Sequence, residues 1–472
     1  MRHPVLPALL LSFVTVAATA AAAPRPNIVV ILADDLGSHD VSWRGSPIKT
    51  PALNALAAAG AKLDAFYVQP LCSPTRAALL TGRYPFRHGL QVGVVRPWAK
   101  HGLPLDERTL PQALKDAGYQ TAIIGKWHLG HMAPEYLPTR RGFDHQYGHY
   151  NGALDHFTHV RDGGFDWHRD DKANRDEGYT THLLAREAVR TITDRDKAKP
   201  LFLYVAFTAV HAPLQVPDNY KTPYANLPPR RQTYAGMVAA LDEAVGQIRA
   251  ALSDQKIERD TLTLFSADNG GPNPGRLTDN GPYRAGKGTV YEGGVRTCAF
   301  ATWPGQIKPN TVVTAPLHIV DLYPTLLTLA GAPLDQKLPL DGKNAWPTLT
   351  AGAGSPHADI LINTSPKSGA IRTGDWKLVI GGNARDDDDD DGGAPAPPDA
   401  KPAPAAAPAT ESIELFNLAA DPGEKSNLAD KHPDVVARLR ARYADHAKQA
   451  VAPKAAPKPR NFQSPKVWGE PE

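Results

Sequence analysis

The sequence predicts an α/β fold with a large, mostly parallel sheet sandwiched by helices and a smaller C-terminal domain with an antiparallel sheet. Apolar runs of strand length alternate with helical segments over the first two thirds of the chain, which is typical of a parallel sheet. At 472 residues the chain exceeds the size at which a single core stops growing. Beyond about Pro333 the alternation ends. We therefore expect domains at residues 24–333 and 334–472.

Residues 1–23 have the pattern of a signal peptide. Arg2 provides a positive start, residues 6–16 a short apolar core, and residues 17–23 a run of small residues suited to cleavage. The core is short for a membrane span, and an uncleaved anchor is the alternative. We therefore expect an exported protein, periplasmic or secreted, without a stable membrane anchor. The chain has only two cysteines, Cys72 and Cys298, which fits a bacterial periplasm better than a lysosome.

Composition and charge exclude some classes of partner. Apolar residues make up 42% and charged residues 21% of the chain, as in ordinary globular proteins. The formal net charge of +3 is too small to indicate nucleic-acid binding. The sequence indicates no oligomeric state.

Four apolar runs predict strands that are buried on both faces of a sheet. They cover residues 27–33, 120–124, 201–207 and 261–267. Helices are predicted at residues 50–61 and 109–118, each with a threonine cap followed by proline within the first turn, and at residues 234–252 and 321–330. In the small domain we expect strands at residues 376–380 and 413–418 and a helix at residues 434–448.

Polar or charged side chains follow each of these four strands. They are Asp34 and Asp35, then Lys126 and His128, then His211, and finally Asp268 and Asn269. In open parallel sheets the functional groups gather beyond the carboxyl ends of the strands. The sequence therefore predicts one site assembled from four distant segments.

The acidic residues of this predicted site suit a hard divalent cation. Carboxylate and amide oxygens are typical ligands of Ca²⁺, with Mg²⁺ as the other possibility, and they do not favour zinc. The alternatives are a capping pair at Asp34 and Asp35 and a turn at Asp268 and Asn269. Because both pairs lie at predicted strand ends, we favour the metal site.

The segment Cys72-Ser73-Pro74-Thr75-Arg76 predicts a cysteine at a helix N-terminus. Pro74 fits the first turn, the following alanines and leucines favour helix, and Gly82 is a plausible end. The helix dipole and Arg76 would lower the pKa of the Cys72 thiol and make it reactive. The alternative is a buried structural thiol.

This segment, followed by Leu80-Thr81-Gly82-Arg83, resembles the signature of the type I sulfatases, in which the cysteine is oxidised to formylglycine. The resemblance extends over nearly all the mature chain and is greatest to the arylsulfatase B (N-acetylgalactosamine-4-sulfatase) branch. Further matching segments lie at residues 26–37, 125–130, 210–217, 266–271, 286–296, 414–418, 427–429 and 467–469.

The resemblance implies an alkaline-phosphatase-like fold and the hydrolysis of sulfate esters on sugar or aryl substrates. It implies that a formylglycine-generating or equivalent enzyme converts Cys72, whose hydrated aldehyde attacks sulfur, and that the metal ligands are Asp34, Asp35, Cys72, Asp268 and Asn269. Lys126 and Lys287 would clamp the sulfate, and Arg76 would help to fix the diol. His128 would manage the diol proton, while His211, with Lys287, would protonate the leaving alcohol.

Departures from the family pattern leave the substrate open rather than the reaction. Tyr291 replaces a common tryptophan, Ala267 interrupts a usual Ser-Asp-Asn, Cys298 stands where a non-thiol is common, and an acidic, Pro/Ala-rich insert covers about residues 384–411. A phosphonate or phosphate mono- or diester hydrolase of the same superfamily is the rival enzyme. A catalytically dead sulfated-glycan binding protein is the rival from another class, although no position of the implied site is broken.

Two further stretches allow two interpretations each. Residues 144–171 are dense in histidine and aromatic residues, which would suit sugar binding or a solvated connecting loop. The aspartates at residues 386–391 would suit cation binding, but composition favours a disordered, solvated loop.

Overall fold

The computed structural model describes residues 25–362, 368–381, 412–455 and 457–470. The predicted signal peptide and the acidic run at residues 386–391 lie outside the described residues. None of the helices within them has the length and apolar character needed to cross a bilayer.

The strands are short and the helices vary widely in length. The strands are β1 Asn27–Ala33, β2 Ala61–Tyr67, β3 Gln120–Lys126, β4 His145–His149, β5 Val160–Arg161, β6 Gly164–Phe165, β7 His168–Arg169, β8 Lys172–Ala173, β9 Leu201–Ala206, β10 Thr261–Ala267, β11 Arg296–Thr302, β12 Thr311–Val313, β13 Leu317–His318, β14 Ile360–Ile362, β15 Gly369–Thr373, β16 Trp376–Ile380 and β17 Ile413–Asn417. The helices are α1 Pro51–Ala58, α2 Cys72–Thr81, α3 Leu110–Asp116, α4 Thr180–Thr193, α5 Asp218–Lys221, α6 Pro229–Asp254, α7 Glu292–Val295, α8 Leu322–Leu329, α9 Trp346–Ala351 and α10 Pro433–Ala447.

The large sheet has a parallel centre and antiparallel flanks. Its order is β12-β2-β11-β10-β1-β9-β3-β4-β7-β8, with β13 also paired to β2. The five central strands, β10-β1-β9-β3-β4, are parallel, whereas β11 and β7 join them antiparallel. The four strands predicted from apolar runs are therefore neighbours, and their carboxyl ends lie at one edge.

Strand β1 shows why the central strands are apolar throughout. Ile28, Val30 and Leu32 face one core, which includes residues of α2, α3 and α8. Val29, Ile31 and Ala33 face a second core, which includes residues of α1, α4 and α6. Both faces of the sheet are thus covered by helices, as the predicted α/β sandwich requires.

A small antiparallel sheet lies in the C-terminal part of the chain. Its order is β14-β15-β16-β17, and α10 packs against β15 and β16. The predicted strands at residues 376–380 and 413–418 are confirmed as β16 and β17. The position of the domain boundary near residue 333 stays a prediction.

Strands β2 and β11 are two of the seven strands of the large sheet that the sequence analysis did not predict. The helix predicted to reach residue 61 ends at Ala58, and β2 begins at Ala61. Gly60 lies between the two elements. Only glycine fits this position, because a Cβ here would lie 2.2 Å from the Ala301 carbonyl oxygen. Strand β2 pairs antiparallel with β11, which was also missed.

Deleting residues 386–409 and joining the ends by a short turn is expected to leave catalytic activity and Tm nearly unchanged. Strands β16 and β17 pair along five residue pairs, and the Gly381 N–H donates to the Ser412 carbonyl at 2.9 Å. The flanks of the deletion are therefore already together, so a shorter loop costs little closure entropy. Thermal unfolding and turnover of the two proteins test this, and a large loss of either would show that the insert contributes to fold or function.

Candidate active site

Helix α2 places Cys72 at its first residue. Leu71 before it is extended, and Gly82 ends the helix with a left-handed φ of 66°, where a Cβ would lie 2.7 Å from the Tyr323 Cβ. Ser73 Oγ donates to the His128 carbonyl at 2.8 Å and accepts from the Val95 N–H at 3.0 Å. The start of the helix is thereby held against the segment that carries His128.

The predicted acidic residues meet around the Cys72 sulfur. Sγ lies 3.5 Å from Asp34 Oδ1 and 3.5 Å from Asn269 Oδ1. The Asn269 amide donates to Asp35 Oδ1 at 2.7 Å, and the Asp35 N–H donates to Asp268 Oδ1 at 3.3 Å. Every one of these side chains is buried, so strands β1 and β10 and helix α2 converge on one enclosed site.

Each buried carboxylate has its own cation. Lys126 Nζ lies 2.6 Å from Asp34 Oδ2, Lys287 Nζ 2.9 Å from Asp35 Oδ2, and Arg76 Nη2 2.8 Å from Asp268 Oδ2. Arg76 also donates to the Lys126 carbonyl at 3.1 Å. Pairing is what makes three charged pairs tolerable in a buried site, and it leaves three cations close to the Cys72 side chain.

The carboxylate and amide oxygens of Asp34, Asp35 and Asn269 fit a hard divalent cation, and a sulfur and an imidazole nitrogen lie beside them. Ligand atoms of Asp34, Asp35, Cys72 and His211 lie within 4.8 Å of one another, and Asn269 adjoins them. Burial and repulsion by Asp268 raise the pKa of Asp34 to about 7. The oxygens of this cluster are the ligands that a cation such as Ca²⁺ prefers.

The two predicted histidines are held neutral. Burial and Lys287 lower the pKa of His211 to about 3, and burial and Lys126 hold the pKa of His128 well below its usual value. His211 Nδ1 lies 2.6 Å from the Ala212 carbonyl and so must donate to it. Its Nε2 therefore accepts from Lys287 Nζ at 3.1 Å and carries no proton in this arrangement.

The expectation of a low pKa for the Cys72 thiol is wrong. Burial and the carboxylates Asp268 and Asp34 raise its pKa well above the usual value, and Lys126 offsets only part of this effect. The sequence shows the helix N-terminus and Arg76, which are local, but not the carboxylates that come from distant segments. Burial and these carboxylates therefore disfavour the thiolate form of an unmodified Cys72.

The stretch at residues 144–171 is not a solvated loop. His149, His156, His159 and Trp167 are at most 2% exposed. The Trp167 ring stacks on His159 with centroids 4.5 Å apart and meets the Tyr147 ring edge-on at 5.3 Å. These rings are packed against one another, so they are not free to stack on a sugar.

Sequence reasoning missed the residues that hold the His128 segment. His149 ends β4 directly opposite Lys126, and its Nε2 lies 2.6 Å from Thr208 Oγ1. Asp166 accepts from the Tyr150 and Asn151 N–H groups at 2.9 Å, and the Tyr150 carbonyl accepts from the His128 N–H at 3.0 Å. The one sequence signal was the density of histidine and aromatic residues in residues 144–171, because β4 is too polar to have been predicted as a strand.

The chain is similar to known sulfatases over the segments that form this site. The family model described as Sulfatase matches residues 26–332. Arylsulfatase J of Mus musculus is 38% identical over 94% of this chain and 80% of its own length. N-acetylgalactosamine-6-sulfatase of Mus musculus is 36% identical over 73% of this chain and 70% of its own. The crystal structure of Ps i-CgsB in complex with k-i-k-neocarrahexaose is similar with a TM-score of 0.80 and 31% identity, covering 91% of this chain and 94% of that one.

Proposed function

Because this chain belongs to the sulfatase family of sulfuric ester hydrolases, we propose that it removes sulfate from sugars through a formylglycine made from Cys72. The observation that carries the proposal is the convergence of Lys126, Lys287 and Arg76 on the acidic cluster that meets the buried Cys72 side chain. A sulfate ester brings negative oxygens to the atom under attack, and preorganised cations in a buried site stabilise such charge strongly.

Conversion of Cys72 would replace an unreactive thiol by a hydrated aldehyde, whose hydroxyl is a nucleophile for sulfur. The raised pKa of the thiol supports this proposal, since the unmodified side chain lacks a nucleophilic form at neutral pH. Cys72 is 2% exposed, so a maturation enzyme would have to act before folding is complete.

Asp34, Asp35, Asp268 and Asn269 would hold the metal ion together with the Cys72 side chain, and Ca²⁺ is the proposed ion. When bound, the ion would offset the negative charge of the sulfate oxygens. Lys126 and Lys287 lie on either side of these carboxylates and would bind the remaining sulfate oxygens. Arg76 donates to Asp268 and to the Lys126 carbonyl. It would therefore orient one of the proposed metal ligands and one of the proposed sulfate-binding residues.

Calcium is expected to raise the Tm of the wild-type protein and to have little effect on Asp35→Asn. A ligand that binds only the folded state at a hundredfold excess over its Kd stabilises by about 2.7 kcal/mol. Thermal unfolding with calcium, magnesium or a chelator measures this. Asp242→Asn is the matched control, because Asp242 is also buried but caps helix α1 through Leu53. An equal response of Asp35→Asn and wild type would remove Asp35 from the metal site.

A comparison of aryl sulfate, phosphate and phosphonate esters tests the proposed reaction. The purified protein, with Cys72 conversion confirmed by mass, is expected to hydrolyse a nitrophenyl sulfate far faster than the matching phosphate or phosphonate ester. The opposite preference would favour the rival hydrolase, and no turnover of any ester would favour a binding protein.

A panel of sulfated sugars tests the proposed substrate. We propose a 4-sulfated N-acetylgalactosamine, following the resemblance to the arylsulfatase B branch. One relative is named for the 6-sulfate of the same sugar, so the panel must contain both positions. Faster turnover of the 6-sulfated sugar would overturn the branch assignment while leaving the reaction intact.

The proposed location is outside the cytoplasm, periplasmic or secreted. The support for it is the signal-peptide pattern of residues 1–23. We also propose residues 24–333 as the catalytic domain, since the family match ends at residue 332.

A further inference from the structure

The segment that carries Lys287 is bonded to the C-terminal sheet through residues that have no proposed role in the reaction. We call residues 284–293 the Lys287 loop. The Gly293 N–H donates to the Arg284 carbonyl at 2.9 Å, which closes the loop. Within it, Lys287 Nζ reaches Asp35 Oδ2 at 2.9 Å and His211 Nε2 at 3.1 Å. The position of Lys287 therefore depends on what holds the ends of this loop.

Three buried charged residues hold the C-terminal end of the loop. Lys377 of β16 places its Nζ 2.9 Å from Glu292 Oε1 and 2.9 Å from Glu424 Oε1. The Glu292 N–H donates to Glu424 Oε2 at 2.6 Å. Glu292 and Lys377 are 0% exposed and Glu424 is 1% exposed. Lys377 of the C-terminal sheet thus holds the Glu292 side chain, and Glu424, which follows β17 in the chain, holds the Glu292 N–H.

A second contact holds the N-terminal end of the loop. Arg284 Nη1 lies 2.9 Å from Glu414 Oε1 of β17, and the Arg284 guanidinium lies 3.8 Å from the centre of the Tyr291 ring. The Tyr291 hydroxyl donates to the same Glu414 carboxylate. Both ends of the Lys287 loop are therefore bonded to the C-terminal sheet.

The loop also contacts the other parts of the active site. The Gly288 N–H donates to the Pro70 carbonyl at 2.9 Å, two residues before Cys72. The Gly270 N–H, next to Asn269, donates to the Gly294 carbonyl at 2.9 Å. Two backbone bonds thus join the loop, and Gly294 directly after it, to the Cys72 and Asn269 segments.

We propose that Lys377 and Glu424 are positioning residues for the active site and act by fixing the Lys287 loop. The proposal rests on the sulfate-binding role proposed above for Lys287. Burying charges is costly unless they are paired, and a buried polar network specifies one arrangement of the groups it joins. Here Lys377 lies between the two glutamates, and Glu292 also accepts from the Tyr67 hydroxyl at 2.7 Å. Apolar packing is not directional, so it would bury the same surface without fixing the position and orientation of the loop.

A double-mutant cycle between Glu424→Gln and Lys287→Met tests the proposal. Two quantities are measured: kcat and KM for a nitrophenyl sulfate, and the Kd for inorganic sulfate by calorimetry in excess calcium. A misplacement of about 1 Å can cost ~100-fold in rate. We expect Glu424→Gln to lower kcat/KM by about tenfold to a hundredfold when Lys287 is present. We expect less than about a twofold further loss when Lys287 is already methionine.

Asp359→Asn is the matched control. Asp359 pairs with Arg442 at 2.6 Å in the same C-terminal part of the chain, and its partners among the described residues, Arg442, His446 and Thr373, lie outside the Lys287 loop. It is expected to change Tm without changing kcat/KM. Glu414→Gln tests the other end of the loop at a more exposed pair, so that the proposal stays testable even where Glu424→Gln folds poorly.

The cycle separates positioning from simple stability. Equal losses for Glu424→Gln in both Lys287 backgrounds would overturn the proposal. A residue that acts independently of Lys287 lowers kcat/KM by the same factor whether or not Lys287 is present. A wild type that binds sulfate but turns over no ester would refute the proposed function, while the cycle in sulfate Kd would still decide the positioning role. Unchanged activity and sulfate Kd in Lys287→Met would refute the sulfate-binding role of Lys287 and, with it, the positioning role of Lys377 and Glu424.

Discussion

Cys72→Ala is expected to abolish turnover while leaving the fold intact. The substitution removes the residue from which the nucleophile would be made, and it removes a side chain of small volume from the start of helix α2. Activity of purified protein on a nitrophenyl sulfate, together with thermal unfolding, measures both effects. We expect a Tm close to that of the wild type and activity at background.

The second cysteine provides the matched control. Cys298 of β11 is 0% exposed, so Cys298→Ala removes the same atoms from an equally buried position. It is expected to keep full activity. Retention of more than a few per cent of activity by Cys72→Ala would contradict the formylglycine assignment, as would an equal loss in the two variants.

The mass of the Cys72 peptide supplies an independent readout. A residue converted to the aldehyde is lighter than cysteine, so conversion can be measured without any assay. An active preparation in which Cys72 remains a thiol would also contradict the assignment.

The parallel centre of the fold was predictable because both faces of those strands are buried. Strand β1 is apolar along its whole length since it contacts two cores. Strand β2 is different: Lys62 and Asp64 are only partly buried, and the strand follows an alanine-rich helix. Its pairing with β11 is a contact between distant segments, and this contact overrides the local preference for helix.

The site was predictable for a related reason. Parallel strands carry their terminal residues to one edge, and β10, β1, β9 and β3 are neighbours. Effects that depend on long-range contacts were not predictable. The raised pKa of Cys72 follows from burial and from Asp268 and Asp34, and the Lys287 loop is held by Lys377 and Glu424, which are remote in sequence. The motif that contains Glu292 was recognised, but its partners were not.

His211→Ala is expected to slow desulfation of a sugar by ~10²–10⁴-fold, the usual contribution of general acid catalysis, and to slow a nitrophenyl ester clearly less. A nitrophenyl leaving group is stable as an anion, whereas a sugar alcohol needs a proton. His211 Nε2 faces Lys287 Nζ and accepts from it. The proton would therefore have to come from Lys287 before His211 passes it on.

Comparison of three variants on both esters shows which residue protonates the leaving group. His128→Ala is expected to affect the two esters alike, because His128 would act on the diol that both reactions share. Lys287→Ala is expected to slow both esters, and the sugar ester more, since it removes a sulfate-binding cation and the proton source of His211. The measurement is kcat/KM for each variant on each ester, with Cys72 conversion confirmed by mass. Equal losses of His211→Ala on the two esters would remove His211 as the donor and leave Lys287, whose ammonium is the one protonated group within 3.1 Å of His211 Nε2 among the described contacts.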